Sequence, residues 1–337
     1  MKTLNVAFVG CGNMSHPHAK NFLAIPEAKV VALCDIDAAK MGGVGKKYFP
    51  DAAQFTSYDG LLEASKKLAL DGVVIITPHT LHHGQIKSAL EAGLHVLTEK
   101  PMVTSSQHAY DLWKTVKKTG KILAISFQST YTREFAFIAA ERGAGRLGKI
   151  QLISGLLNQA WLGVTTNTWR QNPELSGGGQ MYDSGAHMLN AFIWLINEPV
   201  VEVACFYDRC GTPVDINGVA IIKFASGVLG SVCIGGNCPA SAGDIQIHTD
   251  KMTIRTDTSG SKVEMHADAG RFYPLVAADD RPAAGTPQLN FVNAILHGEK
   301  LRTPVRYGVL LSALMDGLYE SARAKKPVRV EPVPADI

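Results

Sequence analysis

The chain has 337 residues, 46% of them hydrophobic and 19% charged, with a formal net charge of +3. That length accommodates two domains of about 100 to 200 residues each, and the composition excludes a disordered chain. The positive excess is too small and too scattered for a nucleic-acid footprint, and no apolar run approaches the roughly 20 residues needed to span a bilayer.

The N-terminal MKTLNVAFVG runs straight into a first strand and lacks the longer apolar region and cleavage site of a signal peptide, so a cytoplasmic location is expected. In chain order, LNVAFVG, KVVALCD, DGVVIITP, LHVLTEKP and KILAISFQ each read as a buried strand: a nearly continuous apolar run bounded by Gly, Pro, Asp or Lys. Helix candidates at 16–25, 38–48, 57–67, 81–92 and 105–118 alternate with them. This alternation predicts a doubly wound parallel sheet over residues 1–125. After Gln128 the texture changes. A helix near 134–142 leads into GKIQLISGLLNQAW, a glycine cluster and a long helix. VVEVACFYD, VAIIKFASGVLGSVCIGG, DIQIHTDKMTIRTDT and KVEMHADA then follow one another without helices. Such a succession predicts a large, mostly antiparallel open sheet in an α+β domain over 126–337. VAADDRPAAGTP reads as a loop, and two helices close the chain at 288–296 and 307–324.

Gly10 and Gly12 fall at the end of the first strand, where a tight turn and close backbone approach both require the absence of a side chain. Amides at the start of the next helix then face an anion such as a pyrophosphate. Ser15 stands where the third glycine of G-x-G-x-x-G belongs. Asp35 closes the second strand roughly 20 residues on, where a carboxylate accepts ribose hydroxyls and repels a 2′-phosphate. NAD is therefore expected over NADP; the competing reading makes Asp35 a helix cap.

Thr98 to Pro101, TEKP, follows the fifth strand at the ligand-binding edge. Its Lys-Pro step fits an unusual turn, including a cis bond, and the four residues read equally well as a site lysine or an exposed Glu-Lys pair. ELSGGGQMYDSGAHMLNAFIWLI runs three glycines into a helix on which Asp183 and His187 lie four residues apart, on one face. A carboxylate beside an imidazole suits proton transfer, though an i, i+4 surface pair has the same spacing. Trp161, Trp169 and Arg170 flank the glycine cluster; the tryptophans fit a wall for a sugar ring and core packing about equally well.

Six cysteines are too few for a disulfide scaffold. The pairs Cys205/Cys210 and Cys233/Cys238 have weak zinc spacing, and Cys205 and Cys233 sit in alternating apolar runs where buried cysteine acts as a small hydrophobe. His16, His18, His79, His82 and His83 are read as cofactor-edge or cap residues, so no metal is expected.

The G-x-G with its following His, TP-x-x-x-H at Thr77 to His82, AGLHVLTEKP and GGG-x-x-x-D-x-G-x-H together resemble the Gfo/Idh/MocA family of NAD(P)-dependent sugar and polyol oxidoreductases. The motifs cover the first 190 residues. The resemblance implies an NAD-binding Rossmann domain at 1–125 and a substrate-binding and oligomerisation domain at 126–337. It implies that Gly10, Gly12, Asn13 and Met14 cradle the pyrophosphate and that Asp35 and Ile36 hold the adenosine ribose. Thr77, Pro78, His79 and His82 would line the cofactor, with Glu99, Lys100 and Gln128 at the nicotinamide end. Lys100, Asp183 and His187 match the family's catalytic trio, and with Trp161 and Arg170 they form the expected substrate contacts. Departures are Ser15, Leu94 before His-Val, and Ser129-Thr130 where arginines often follow the amide.

Removing hydride from a carbinol leaves a protonated carbonyl unless a base takes the hydroxyl proton, which assigns His187 as base and Lys100 as donor to the same oxygen. The expected substrate is a sugar, inositol or related polyol, and the expected assembly a homodimer or homotetramer. Two other readings stay open: a glycosidase that oxidises a ring carbon transiently, eliminates the aglycone and returns the hydride, and a non-catalytic NAD or sugar sensor.

Overall fold

The computed structural model describes residues 3–267, 273–274, 285–334 and 337. Most of the expected loop VAADDRPAAGTP lies outside them. The chain divides into two compact units: residues 1–103, 107–126 and 286–308, and residues 104–106, 127–285 and 309–337.

The first unit is built on six strands: β1 (Leu4–Val9), β2 (Ala28–Cys34), β3 (Ala53–Phe55), β4 (Gly72–Ile75), β5 (His95–Thr98) and β6 (Leu123–Ile125). They pair in the order β3-β2-β1-β4-β5-β6, every pair parallel. Helices α1 (Ser15–Leu23), α2 (Ala38–Tyr48), α3 (Tyr58–Glu63), α4 (His82–Glu91) and α5 (Ser106–Thr119) alternate with them. The apolar runs lie inside: Val73, Val74 and Ile75 of β4 and Val96 and Leu97 of β5 have no exposed surface. Such strands need cover on both faces, which is why their sequences do not alternate. The order reverses between β1 and β4, so the loops after those two strands diverge and open a crevice at their carboxyl ends.

Residues 286–308 return to this unit through α10 (Pro287–His297). Phe291 and Val292 join the core of Leu4, Val6, Phe8 and Leu97. Gly72 makes room for that helix: a Cβ there would meet His95 O at 2.8 Å and the Phe291 ring at 3.3 Å. The Thr303 carbonyl accepts from Ile125 N at 3.0 Å and its hydroxyl donates to Ile125 O at 2.6 Å, which ties the returning segment to edge strand β6. The first unit is thus not one run of sequence, and a boundary near residue 125 leaves this piece out.

The second unit carries α6 (Arg133–Gly143), β7 (Ile150–Asn158), α7 (Trp161–Thr165), α8 (Pro173–Ser176), α9 (Gly185–Ile196), β8 (Val200–Asp208), β9 (Asn217–Phe224), β10 (Leu229–Gly235), β11 (Ala242–Thr249), β12 (Thr253–Thr256), β13 (Val263–His266), β14 (Tyr273–Pro274), α11 (Val305–Ala324) and β15 (Val328–Arg329). Nine strands form one sheet, β14-β13-β12-β11-β7-β10-β9-β8-β15, antiparallel except for the β7/β10 pair. Strict alternation sets its two faces. In β9, Ala220, Ile222 and Phe224 are buried while Val219, Ile221 and Lys223 are exposed. The inner face packs on α9. At Gly155 of β7 a Cβ would meet Met188 Sδ at 2.6 Å and the Phe192 ring at 2.9 Å, so the missing side chain sets how closely helix and sheet approach.

Two expectations change here. Cys205 is buried, as its alternating run predicts, but Cys233 is exposed because its register sets it on the outer face with Leu229 and Ser231. Residues Ser126 and Phe127, read as the end of a strand, lie beyond β6, and Gln128 opens a 3-10 turn, Gln128–Tyr131.

Candidate active site

The turn after β1 depends on its two glycines for different reasons. Gly10 has φ +98°, and a Cβ there would meet Ile76 O at 2.7 Å, so the turn itself requires glycine. Gly12 has nothing within 4 Å of its Cβ position. It leaves space open rather than filling a clash. Ser15 occupies the third-glycine position fully buried, its hydroxyl folded back on Gly12 O at 2.7 Å, so it replaces a glycine without blocking the turn. Met14 caps α1 without any side-chain hydrogen bond and no acidic residue stands in the first turn. Ser15 N and His16 N donate to Gly12 O and Asn13 O, so what the first turn offers an anion is the helix dipole without a carboxylate to oppose it.

Asp35 accepts from Cys11 N at 2.6 Å through Oδ2 and from Asp37 N at 2.8 Å through Oδ1, which ties the glycine turn to the end of β2. The cap of α2 is Asp37, accepting from Ala39 N and Lys40 N at 3.1 Å each, so Asp35 does not serve that purpose. Ile36 beside it is 93% exposed. Burial, and then the Asp35 carboxylate, push the Cys11 thiol up to about 12, which keeps it neutral and inert.

At the ends of β4 and β5, the Thr77 hydroxyl donates to Gln85 Oε1 at 2.5 Å, and Pro78 precedes a 3-10 turn that begins at His79, which is buried. His82 has no exposed surface; its Nε2 lies 2.8 Å from Thr77 O and its Nδ1 2.9 Å from Pro101 O. The ring lies between the two loops, and in its neutral form its single N–H donates to one of these carbonyls. Burial pushes this imidazole below its usual range, partly opposed by the carbonyls around it. The Lys100–Pro101 peptide is cis. Glu99 is buried, and its Oε2 accepts from Lys100 N at 3.1 Å.

In the second unit, α9 begins at Gly185, so Asp183 stands in the turn before the helix and not on it. Both residues remain distinguished by exposure. Every α9 residue except His187 is buried, which gives the helix no polar surface face on which an ordinary ion pair would sit. Asp183 is 6% exposed, and its Oδ2 accepts from Trp161 Nε1 at 2.8 Å and Arg170 Nε at 2.9 Å. Trp161 is buried with Val214 and Ile216, which favours core packing among its two readings, and its indole N–H holds the carboxylate. The Arg170 guanidinium lies 4.6 Å from the Trp169 ring centroid. Gln128 is exposed between buried Phe127 and Ser129.

The sequence reading missed Asp215, which is 2% exposed. Its carboxylate accepts from Gly179 N at 2.7 Å, from Met181 N at 2.8 Å and from the Tyr319 hydroxyl. Burial, and then this carboxylate, push the Tyr319 phenol well above its usual range, so it stays a donor. The glycine cluster before Asp183 is thus set by a residue 36 positions away. A single acid inside the apolar VDI is the only signal in the chain, because no spacing links it to the glycines. Among the described residues no group of three or more His, Cys, Asp or Glu side chains could hold a metal ion.

Residues 4–127 match a family model described as "Oxidoreductase family, NAD-binding Rossmann fold", and residues 139–255 match the "GFO/IDH/MocA C-terminal domain". The chain belongs to the Gfo/Idh/MocA family. Its relatives include the D-glucoside 3-dehydrogenase of Escherichia coli (strain K12), 30% identical over 205 residues, which are 59% of this chain and 56% of that protein. The match therefore spans little more than half of that relative's length. The scyllo-inositol 2-dehydrogenase (NADP(+)) of Bacillus subtilis (strain 168) is 22% identical, with 85% of each chain covered. Among solved structures, the WlbA dehydrogenase of Bordetella pertussis in complex with NADH and UDP-GlcNAcA has the same fold, with TM-score 0.84, 23% identity and 99% of each chain covered. The first unit of this Gfo/Idh/MocA member fits the dinucleotide that its family binds. Space lies open beside Gly12, the first turn of α1 carries no acidic residue, and an anchored carboxylate adjoins the exposed Ile36.

Proposed function

We propose that this protein is an NAD-dependent oxidoreductase that transfers hydride between nicotinamide and a secondary hydroxyl of a sugar, inositol or related polyol. The observation that carries the reading is His187: in a helix buried everywhere else, the one residue left accessible is an imidazole, preceded by a buried carboxylate with two donors of its own. A partly exposed imidazole four residues from a held carboxylate supports proton transfer. The names of the relatives, a glucoside 3-dehydrogenase and an inositol 2-dehydrogenase, support the same chemistry.

In this reading NAD, when bound, would supply the hydride acceptor. His187 takes the hydroxyl proton on its ring nitrogen and returns it in the reducing direction. Lys100 donates to the same oxygen and stabilises its developing negative charge, an effect strengthened where water is excluded. Asp183, held by Trp161 and Arg170, steadies the histidine and binds a neighbouring hydroxyl. Gly10, Gly12, Asn13 and Met14 cradle the pyrophosphate. Thr77, Pro78, His79, Glu99 and Gln128 line the rest of the cofactor, and His82 contributes from its buried place between the loops on which they stand. Asp35 selects NAD by repelling a 2′-phosphate. The Bacillus subtilis relative is named for NADP(+), so this preference belongs to the chain's own Asp35 and its lack of a following basic residue.

Two further readings accompany this one. Phe206, Val219 and Leu156 are exposed on the outer face of the second unit's sheet, and the register aligns them across β8, β9, β10 and β7. A second copy of the chain pairing there, in a homodimer or homotetramer, would cover them. The six cysteines are all free thiols, which suits a reducing cytoplasm.

The test is a screen of sugars and polyols with NAD and with NADP, read by absorbance of the reduced nicotinamide. Turnover of at least one polyol with NAD preferred is expected. Binding without turnover across the panel would overturn the reading.

A further inference from the structure

The first unit contains a buried chain of polar groups of which the reading above uses only the last, Glu99. The Asn21 amide donates to Gln288 Oε1 at 3.0 Å. Gln288 Nε2 lies 2.8 Å from His18 Nδ1, and His18 Nε2 lies 2.8 Å from Glu99 Oε1. The far Glu99 oxygen meets Lys100 N. His18, Gln288 and Glu99 are 1%, 2% and 5% exposed, so the chain has almost no access to solvent.

Donors and acceptors must then alternate along it. Gln288 Oε1 already receives the Asn21 proton, so the amide nitrogen is what faces Nδ1. An amide nitrogen only donates. Nδ1 therefore accepts and carries no hydrogen, which leaves the ring's single proton on Nε2, aimed at the Glu99 carboxylate. Gln288 reaches this place on α10, 270 residues along the chain from His18.

We propose that His18 and Gln288 are positioning residues for Glu99. Gln288 fixes His18 as the neutral Nε2–H tautomer, and that N–H holds the carboxylate in the one orientation that leaves its other oxygen on the Lys100 backbone. The inference rests on the place given to Glu99 beside the nicotinamide ribose. A contact made equally before and during reaction raises KM when lost and leaves kcat little changed.

Side-chain 15N NMR of the intact, histidine-labelled protein tests the tautomer without reference to turnover. The expected signature is a protonated Nε2 and a bare Nδ1 at neutral pH, with a second proton appearing in Gln288→Glu. An Nδ1–H tautomer or an imidazolium in the wild type overturns the inference. In kinetics, His18→Leu and Gln288→Leu are expected to raise the KM for NAD roughly tenfold with kcat nearly unchanged. His18→Gln, whose side-chain amide can replace the Nε2–H, is expected to restore it. A folded His18→Leu with wild-type KM for NAD also overturns the inference. A chain that turns over no polyol, yet shows the expected tautomer, would defeat the function proposed above and leave the positioning of Glu99 standing.

Discussion

At the scale of single residues the proposed chemistry rests on one imidazole and one amine. Replacing His187 with Ala removes the proposed base and is expected to lower kcat roughly 100- to 10,000-fold. Lys100→Met removes the proposed donor to the reacting oxygen, for an expected loss of roughly 100- to 1,000-fold. Because His187 is the one α9 residue outside the core, its loss should leave the melting temperature within a degree or two of the wild type, about the scale of a surface change. Steady-state kinetics with thermal melts separates the two effects; near-normal turnover in both variants would remove the assignment. Asp183 shows why burial matters more than spacing. The sequence reads as a helical i, i+4 pair, whereas the carboxylate sits in the turn before α9 with an indole and a guanidinium on one oxygen. Spacing alone gave its identity; its partners come from α7 and the turn after it, which no local pattern announces.

At the scale of elements, the β1–α1 turn separates glycine for folding from glycine for binding. Gly10→Ala combines a positive φ with a Cβ 2.7 Å from a backbone oxygen, and it is expected to destabilise the first unit by about 1–3 kcal/mol or more. Gly12→Ala meets nothing within 4 Å. It should melt like the wild type and lose NAD affinity, because its methyl occupies the space proposed for the pyrophosphate. Melting curves with and without NAD test the pair, and equal losses of stability in both would contradict the division. Most elements around this turn are legible because their signals are local. Buried strands such as VVALC and GVVI announce themselves as apolar runs, and α2 spans the residues that its pattern predicts. β3 is only AQF, too short and too polar to stand out, and it forms because β2 offers it a ladder. The exposed Cys233 has the same cause: pleat register, and not the local run, decides which face a residue takes.

At the scale of the whole molecule, the order of the chain hides how the two units are assembled. Residues 286–308 supply Phe291 to the first core and Gln288 to its buried polar chain, although they follow the entire large sheet in sequence. Composition carries no trace of that return, because α10 reads as an ordinary amphipathic helix wherever it packs. The outer face of the sheet carries a different prediction. Phe206→Glu combined with Ile221→Glu would place charges at two of its most exposed apolar positions. If two copies pair there, light scattering should find the wild type as a dimer or tetramer and the variant as a smaller species with an unchanged melt. A wild type of single-chain mass would discard the interface.

The most direct test of hydride transfer follows the hydrogen itself. The polyol selected by the screen, deuterated at its carbinol carbon, is incubated with NAD and the enzyme, and the reduced cofactor is analysed by mass spectrometry and NMR. The account predicts deuterium on C4 of the nicotinamide ring, matched in amount to the carbonyl product, and a loss of that transfer in His187→Ala. Deuterium retained in the sugar or released to water, with none on the cofactor, would contradict it.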